Sequence, residues 1–378
     1  MRRMDMVEII KVETRRQLKQ FILFPFTMYQ DNPNWVPPLI ADEWFTLDST
    51  KNPAFEFSEA AYWLARKDGK TVGRIAGIIS HAYIKKWGNP YARFGWIDFV
   101  DDREVSKALL DTVMAWATAH GLSGVHGPLG FCDLDKEGML TDGFDQMGTF
   151  ITLYNHAYYK DHLEALGFLK DAEWTEWEIR LSDLSQAEYV KKLADRARLK
   201  YDMHTVPLKK NKDVVPYIND IFDLMNKGYQ HLYATIPVTK AQVACYVKQF
   251  FGFLNVDYIS IILDKDNKIA GFGIIMPSLT RAAQKSRGRL FPLGFIHWLW
   301  AIKHGRTVDM YLVAVRPELR MTGIPHIMIS EMTQAAIRNK LEYAIAAPEL
   351  ETNIAVHSMW RNYDAHIHRR RRVYLKTW

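Results

Sequence analysis

Cysteine is almost missing from this chain: Cys132 and Cys245 are the two in 378 residues, and neither sits in a CxxC or Cys/His spacing. That argues against an iron–sulfur or zinc site and a disulfide framework, so no metal site built on cysteine is expected, and it fits a reducing compartment. Long apolar runs are missing too. No stretch approaches the ~18 apolar residues of a spanning helix. Met1 to Lys11 has basic residues but no apolar core of signal-peptide length. The expected location is the cytoplasm. No short-period repeat marks a solenoid.

What is present suits a folded protein of more than one core. The length exceeds one ordinary domain, and 48% hydrophobic with 13% aromatic residues can fill two interiors without staples. The net charge is +6, and the run Arg369 to Arg372 supplies much of it. A basic excess invites a nucleic-acid reading. No nucleic-acid motif accompanies the charge, so no such partner is expected. The arginine run reads either as a solvated terminal strand or as a patch for an anionic cofactor.

Element order repeats along the chain. In the first half, a strand (Val7 to Glu13) and a helix (Arg15 to Gln30) precede a Pro-rich loop, Asn32 to Pro38. A hairpin then turns at Asp68-Gly69, a strong two-residue signal. A strand (Phe94 to Val100) and an amphipathic helix with Val105, Leu109, Val113 and Trp116 at helical spacing follow. A polar helix from Gln186 to Lys200 reads as a linker, after which the same order returns. It ends on a long helix (Ile324 to Lys340), a short one (Ile354 to Asn362) and a closing strand (Arg370 to Lys376). This is not an even βαβα rhythm; it fits an α+β fold, a mixed sheet between helices in three layers, α/β/α. The expected division is 1–182, a helical linker 183–202, and 203–378.

The informative stretch is Tyr311 to Pro325. An apolar strand runs into Pro317, turns through a short polar loop and enters a helix at Ile324. Free backbone N–H groups at such a turn, with the positive helix end, form an anion site. Gly323 lets the backbone approach a phosphate closely.

Here the chain resembles the GNAT-type acyl-CoA N-acyltransferase superfamily, whose strand ends V-x-P before R-x-x-G-x-G/A. Val315, Pro317, Arg320 and Gly323 match in register, while Pro325 replaces the last small residue and has no N–H to give. The resemblance implies a donor, acetyl-CoA or a longer acyl-CoA. Amides from Met321 through Thr322 and Gly323 to Ile324 would cradle its pyrophosphate. The strand carrying Val313 and Val315 would splay from its neighbour and pair with the pantetheine arm. Asn353, in a stretch similar to the family's Asn-x-x-Ala, either bonds that arm or caps a helix. The family's general-acid tyrosine falls on Trp360, so Tyr363 is the substitute. Glu349, Glu351 and Asp309 are candidate bases for an amine nucleophile, Glu351 first.

The first half looks like a degenerate copy. Asp101 to Val105 stands where the cofactor turn would be, without glycine and with several acids, which repel a pyrophosphate. Its trace of the family is Tyr159 to Phe168. The Gly- and Asp-rich loop from Gly127 to Asp145 reads as a turn set, a substrate-ammonium pocket or a metal site, though its spacing misses the EF-hand. Across nearly its full length the chain is similar to a family of bacterial tandem-GNAT proteins.

An apolar insertion, Leu290 to Lys303, is framed by Arg281, Lys285, Arg287, Arg289 and Arg306. Such a segment can lie on a membrane surface, line an acyl tunnel or pack between domains. Three functions remain open. One is an acyl-CoA-dependent N-acyltransferase acting on a small-molecule amine or lipid-like substrate, with peripheral membrane contact. Another is a non-catalytic binding protein on a tandem GNAT scaffold. The third is a transferase using an aminoacyl or acyl-carrier donor.

Overall fold

The computed structural model describes residues 6–181, 187–320, 322–360 and 363–378. The start of the expected linker, Met321 and the end of the expected short helix at Asn362 lie outside the described residues. In chain order the first half contains β1 (Glu8–Lys11), α1 (Arg15–Met28), α2 (Ile40–Thr46), β2 (Ser58–Lys67), β3 (Lys70–Ser80), α3 (His81–Trp87), β4 (Tyr91–Phe99), α4 (Arg103–Ala119), β5 (Gly124–Gly127), β6 (Met139–Asp142), α5 (Tyr158–Ala165) and β7 (Leu169–Arg180). Then come α6 (Ala187–Tyr201), β8 (His204–Thr205), α7 (Ile218–Tyr229), α8 (Lys240–Phe250), β9 (Ile259–Leu263), β10 (Ile269–Pro277), α9 (Thr280–Ser286) and α10 (Gly294–His304). The chain finishes with β11 (Thr307–Val315), α11 (Ile324–Asn339), β12 (Tyr343–Ile345), β13 (Glu349–Leu350), α12 (Ile354–Met359) and β14 (Ala365–Thr377).

Two compact units emerge, and neither is one uninterrupted stretch. The first holds residues up to Thr175, with Thr280–Phe295 and Arg369–Trp378; the second holds Glu176–Leu279 and Ile296–His368.

In the first unit the strands run β1-β2-β3-β4-β5-β14-β7, with β6 beside β14. The β2–β3 hairpin closes at Asp68 and Gly69, both at positive φ (53° and 73°), as a two-residue primed turn requires. Helix α4 starts where the Asp102 carboxylate accepts from the Glu104 N–H at 2.9 Å. Val105, Leu109 and Val113 are fully buried, as their spacing foretells. Residues 280–289 belong here because Gln284 Nε2 donates to the carbonyls of Pro33 (2.8 Å) and Trp35 (2.9 Å), holding the Pro-rich loop.

The C-terminal strand departs from expectation. Gly124 to Gly127 pairs with Thr377 to Tyr374, and Arg370 to Arg372 pair with β6, so this strand is completed in the first unit. The arginine run is neither a solvated strand nor a cofactor patch. Alternation along β14 turns Arg369 and Arg371 fully inward. There Arg369 Nη1 donates to the Met147 carbonyl, and Arg371 Nη1 to the Leu153 and Gly138 carbonyls. Arg372 makes a two-pronged bond to Glu173 at 2.7 and 3.0 Å.

In the second unit the order is β7-β12-β11-β10-β9-β8. Helix α6, expected as a polar linker, packs by its apolar side: Ala194 and Ala197 lie against Ile324, Ile327 and Met328 of α11. A second cluster joins Val308 and Ile275 to Ala335, Ala336 and Trp360. Among the described residues, no helix is long and apolar enough to cross a membrane.

Candidate functional site

The site grows out of one irregularity in β11. Strands β11 and β12 pair in parallel over Thr307–Asp309 and Tyr343–Ile345 only. Strand β11 runs on to Val315 while β12 stops, so among the described residues its edge from Met310 onward has no strand beside it there. On the other side the register with β10 shifts: Ile274 faces Leu312 and Ile275 faces Met310. Tyr311 is therefore the extra residue of a β-bulge, a device that bends a strand and re-aims its side chains.

The main-chain groups of Val313 are the ones on offer at that edge, and its side chain is 45% exposed. In this structure a tyrosine takes them up. The Tyr229 hydroxyl donates to the Val313 carbonyl at 2.9 Å and accepts from its N–H at 3.2 Å. Tyr229 ends α7, and the preceding Gly228 offers its carbonyl to Arg320 Nη2 at 3.2 Å. Val315 turns in against the α6–α11 cluster.

Beyond Pro317 the turn is tight. The Thr322 N–H donates to the Leu319 carbonyl at 3.1 Å, and its hydroxyl does so at 2.6 Å. One of the cradle donors expected from the sequence is thus already committed within the turn. Gly323 sits at φ +87° as the N-cap of α11, with Pro325 in the first turn. The Ile324 N–H precedes the first intrahelical bond of α11, in a position where helices leave donors for anions. Arg320 is exposed beside it, and the Ile324 side chain is fully buried.

A Cβ on Gly323 would come 3.1 Å from Ala197 Cβ. A bulky residue at 323 therefore strains the fold itself, whether or not a phosphate is bound.

The acids separate clearly. Glu349 ends the segment that leaves β12; burial pushes its carboxyl up to about 7, opposed by a hydrogen bond from Trp360 Nε1 at 3.1 Å. His357 Nε2 lies 3.8 Å from the same carboxylate. Glu351, two residues on, stands in the following turn and is partly exposed. Asp309 is buried, and its charge adds to the burial that drives the Tyr311 hydroxyl well above its usual range. Tyr363 packs edge-on to Trp360, ring centres 6.3 Å apart, and burial raises its hydroxyl. Asn353 is the N-cap residue of α12, yet its side chain makes no capping bond. The bulge, the Tyr229 bridge and the Trp360–Glu349 bond had no sequence signal; a tyrosine at a helix end and a tryptophan near a glutamate are each commonplace.

The first unit repeats the plan and fills it. Strands β4 and β5 pair over Tyr91–Arg93 and Gly124–His126, and β4 carries a bulge where Trp96 lies at φ 43°. Past this point protein groups occupy the edge. Leu129 N–H donates to the Phe94 carbonyl (2.8 Å), Phe99 N–H to the Tyr159 hydroxyl (2.9 Å), and the Tyr158 hydroxyl to the Phe99 carbonyl (2.6 Å). At the turn Asp102 caps α4 and Asp101 pairs with His162 at 2.9 Å. These contacts take up main-chain groups of Phe94 and Phe99 at the edge and both aspartates of the turn.

The Gly127–Asp145 loop spends much of its polarity on itself. Asp135 Oδ2 accepts from Phe131 N–H (2.7 Å) and Cys132 N–H (3.2 Å), and Asn155 binds both backbone groups of Leu140. Burial still lifts Asp133 to about 7 and Asp135 to about 6, and lowers Lys136 to about 8.

No family model matches the chain. A tandem GNAT protein from the clavulanic acid biosynthesis pathway superposes with a TM-score of 0.54 at 13% identity, covering 98% of each chain. The fold is a tandem GNAT fold. The bacterial ceramide synthase of Caulobacter vibrioides (strain NA1000 / CB15N) is 25% identical over 304 residues, 79% of this chain and 77% of that protein. Protein YghO of Escherichia coli (strain K12) is 30% identical over 368 residues, spanning 96% of this chain and 93% of its own. Sharing that identity along almost the whole sequence, the chain belongs to the family of Protein YghO.

Proposed function

We propose that the protein is an acyl-CoA-dependent N-acyltransferase and that its donor lies along the open edge of β11. The observation that carries this is the parting of β11 from β12 after Asp309, next to a helix N-terminus entered through a left-handed glycine. An extended amide-bearing arm can add to such an edge through Val313 and Val315, in the manner of strand addition. Its phosphates would meet Arg320 and the amides of Gly323 and Ile324, with Thr322 flanking them. Asn353 would bond the amide arm.

In the reaction the amine attacks the thioester carbonyl carbon; the C–N bond forms, the C–S bond breaks, and sulfur leaves with the electron pair. The ammonium proton goes to a carboxylate, and the sulfur takes a proton from a hydroxyl. Glu349 is the better base, because a group titrating near neutrality both accepts and releases a proton at working pH. Glu351 is the alternative. Tyr363, kept neutral by burial, is the proposed proton donor. Orientation of the two substrates supplies most of the acceleration.

The name of the Caulobacter relative supports a lipid-like acceptor. A ceramide is the N-acyl amide of a long-chain amino alcohol, so a long-chain amine is the acceptor we favour and a long-chain acyl-CoA the donor. The competing reading, a binding protein without turnover, is favoured by Pro325 and by the committed Thr322 amide. Titration with acetyl-, octanoyl- and palmitoyl-CoA, followed through tryptophan fluorescence and then by thiol release on adding amines, separates the two. Release that depends on a long-chain amine supports the transferase. Binding without release supports the scaffold, and indifference to every acyl-CoA removes both in favour of another carrier.

A further inference from the structure

Residues 267–308 contain no aspartate or glutamate, yet hold Lys268, Arg281, Lys285, Arg287, Arg289, Lys303 and Arg306. Helix α10 lies inside this acid-free stretch. One side is anchored: Trp298 and Ala301 are buried, and the Trp298 ring sits 5.1 Å from Phe253. The other side is apolar and in water. Ile296, Leu299 and Trp300 are 51%, 60% and 61% exposed, and with Lys303 they fall at i, i+3, i+4 and i+7, one helical face. In the chain leading into the helix, Phe291 and Leu293 are exposed as well, at 78% and 66%.

A face of this kind has a limited choice of partners. Large apolar side chains left in water at helical spacing mark a contact surface. The cations decide which one. Arg281, Lys285, Arg287, Arg289 and Lys303 are all exposed, and among the described residues none of them is in an ion pair; Arg306 pairs with Glu342. A protein partner would need a matching acidic rim, whereas an anionic bilayer surface answers both features at once. Trp and Leu enter the headgroup–acyl boundary while Lys and Arg stay with the lipid phosphates.

We infer that α10 is a monotopic docking helix that seats the protein on an anionic lipid surface through Ile296, Leu299 and Trp300, with Lys303, on the same helical face, at the headgroups. The contact is peripheral and reversible. It does not depend on the identity of the donor, and it would hold for a binding protein as well as for an enzyme.

The test is flotation of the full chain with vesicles of phosphatidylcholine alone and of phosphatidylcholine with phosphatidylglycerol, at low and high salt. Binding is expected with the anionic vesicles and is expected to fall with salt, and Lys303→Gln should weaken it by roughly fivefold. The double variant Leu299→Asp, Trp300→Asp should lose roughly tenfold or more, with an unchanged far-UV spectrum and unchanged acyl-CoA titration. No flotation of the parent chain, or flotation that the double variant retains, overturns the inference. A dimer of the parent chain that the double variant disperses would assign the face to a second copy instead, and overturns it too.

Discussion

The hydroxyl of Tyr229 bridges the N–H and the carbonyl of Val313, at 3.2 and 2.9 Å, on the stretch of β11 that β12 does not accompany. A side chain thereby holds the two groups that a donor's amide arm would use. The proposed donor must displace it.

Tyr229→Phe removes the bridge and leaves the ring. Each of the two hydrogen bonds is worth about 1 kcal/mol net. Acyl-CoA affinity is expected to rise by up to roughly tenfold while stability falls by about 1–2 kcal/mol. Calorimetric titration beside denaturant unfolding reads both. Weaker binding in this variant would mean that the hydroxyl serves the donor rather than competing with it.

The pH profile distinguishes the two glutamates. Glu349 accepts a proton only as carboxylate, and burial raises it to about 7. Activity limited by this group is low below that pH and climbs through it. Glu349→Gln should cost roughly 10²–10⁴-fold in kcat and abolish this limb, while Glu351→Gln keeps it. A limb that survives Glu349→Gln and disappears with Glu351→Gln reverses the assignment.

At the turn, Arg320 and Gly323 should behave differently. Arg320 is exposed and bonded to one carbonyl, so Arg320→Ala should weaken acyl-CoA binding several-fold, with a smaller salt dependence and little change in Tm. Gly323→Leu meets Ala197 and an unfavourable φ, and is expected to lower stability by about 1–2 kcal/mol or more even without ligand. A Gly323→Leu protein with unchanged Tm would contradict the packing of α6 on α11.

Neighbouring arginines in β14 should differ sharply. Arg371 is fully buried on main-chain carbonyls, whereas the side chain of Arg370 is 38% exposed near Glu173. Arg371→Ala is expected to cost about 3–5 kcal/mol in urea unfolding. Arg370→Ala should cost about 0–1 kcal/mol. Equal effects would argue against the alternation that turns one inward and the other out.

These contrasts show what could be read from residues alone. Strand β11 and helix α11 were legible because an apolar run stops at Pro317 and helical spacing resumes at Ile324. The hairpin at Asp68-Gly69 was legible for the same local reason. The open edge was not, since it depends on β12 ending at Ile345, and a strand's partner is a long-range fact. Nor was the arginine run: four like charges read as solvent-facing until β14 is seen pairing with β5 and β6. Glu349 and Glu351 are indistinguishable in sequence; the Trp360 indole and the burial around Glu349 separate them.

Amide hydrogen exchange across residues 310–326, with and without palmitoyl-CoA, bears most directly on the donor site. Slower exchange at Val313, Gly323 and Ile324 on adding palmitoyl-CoA is the expected result. Unchanged exchange at those three amides under saturating ligand, or protection confined to residues 94–105, would contradict a donor lying along β11.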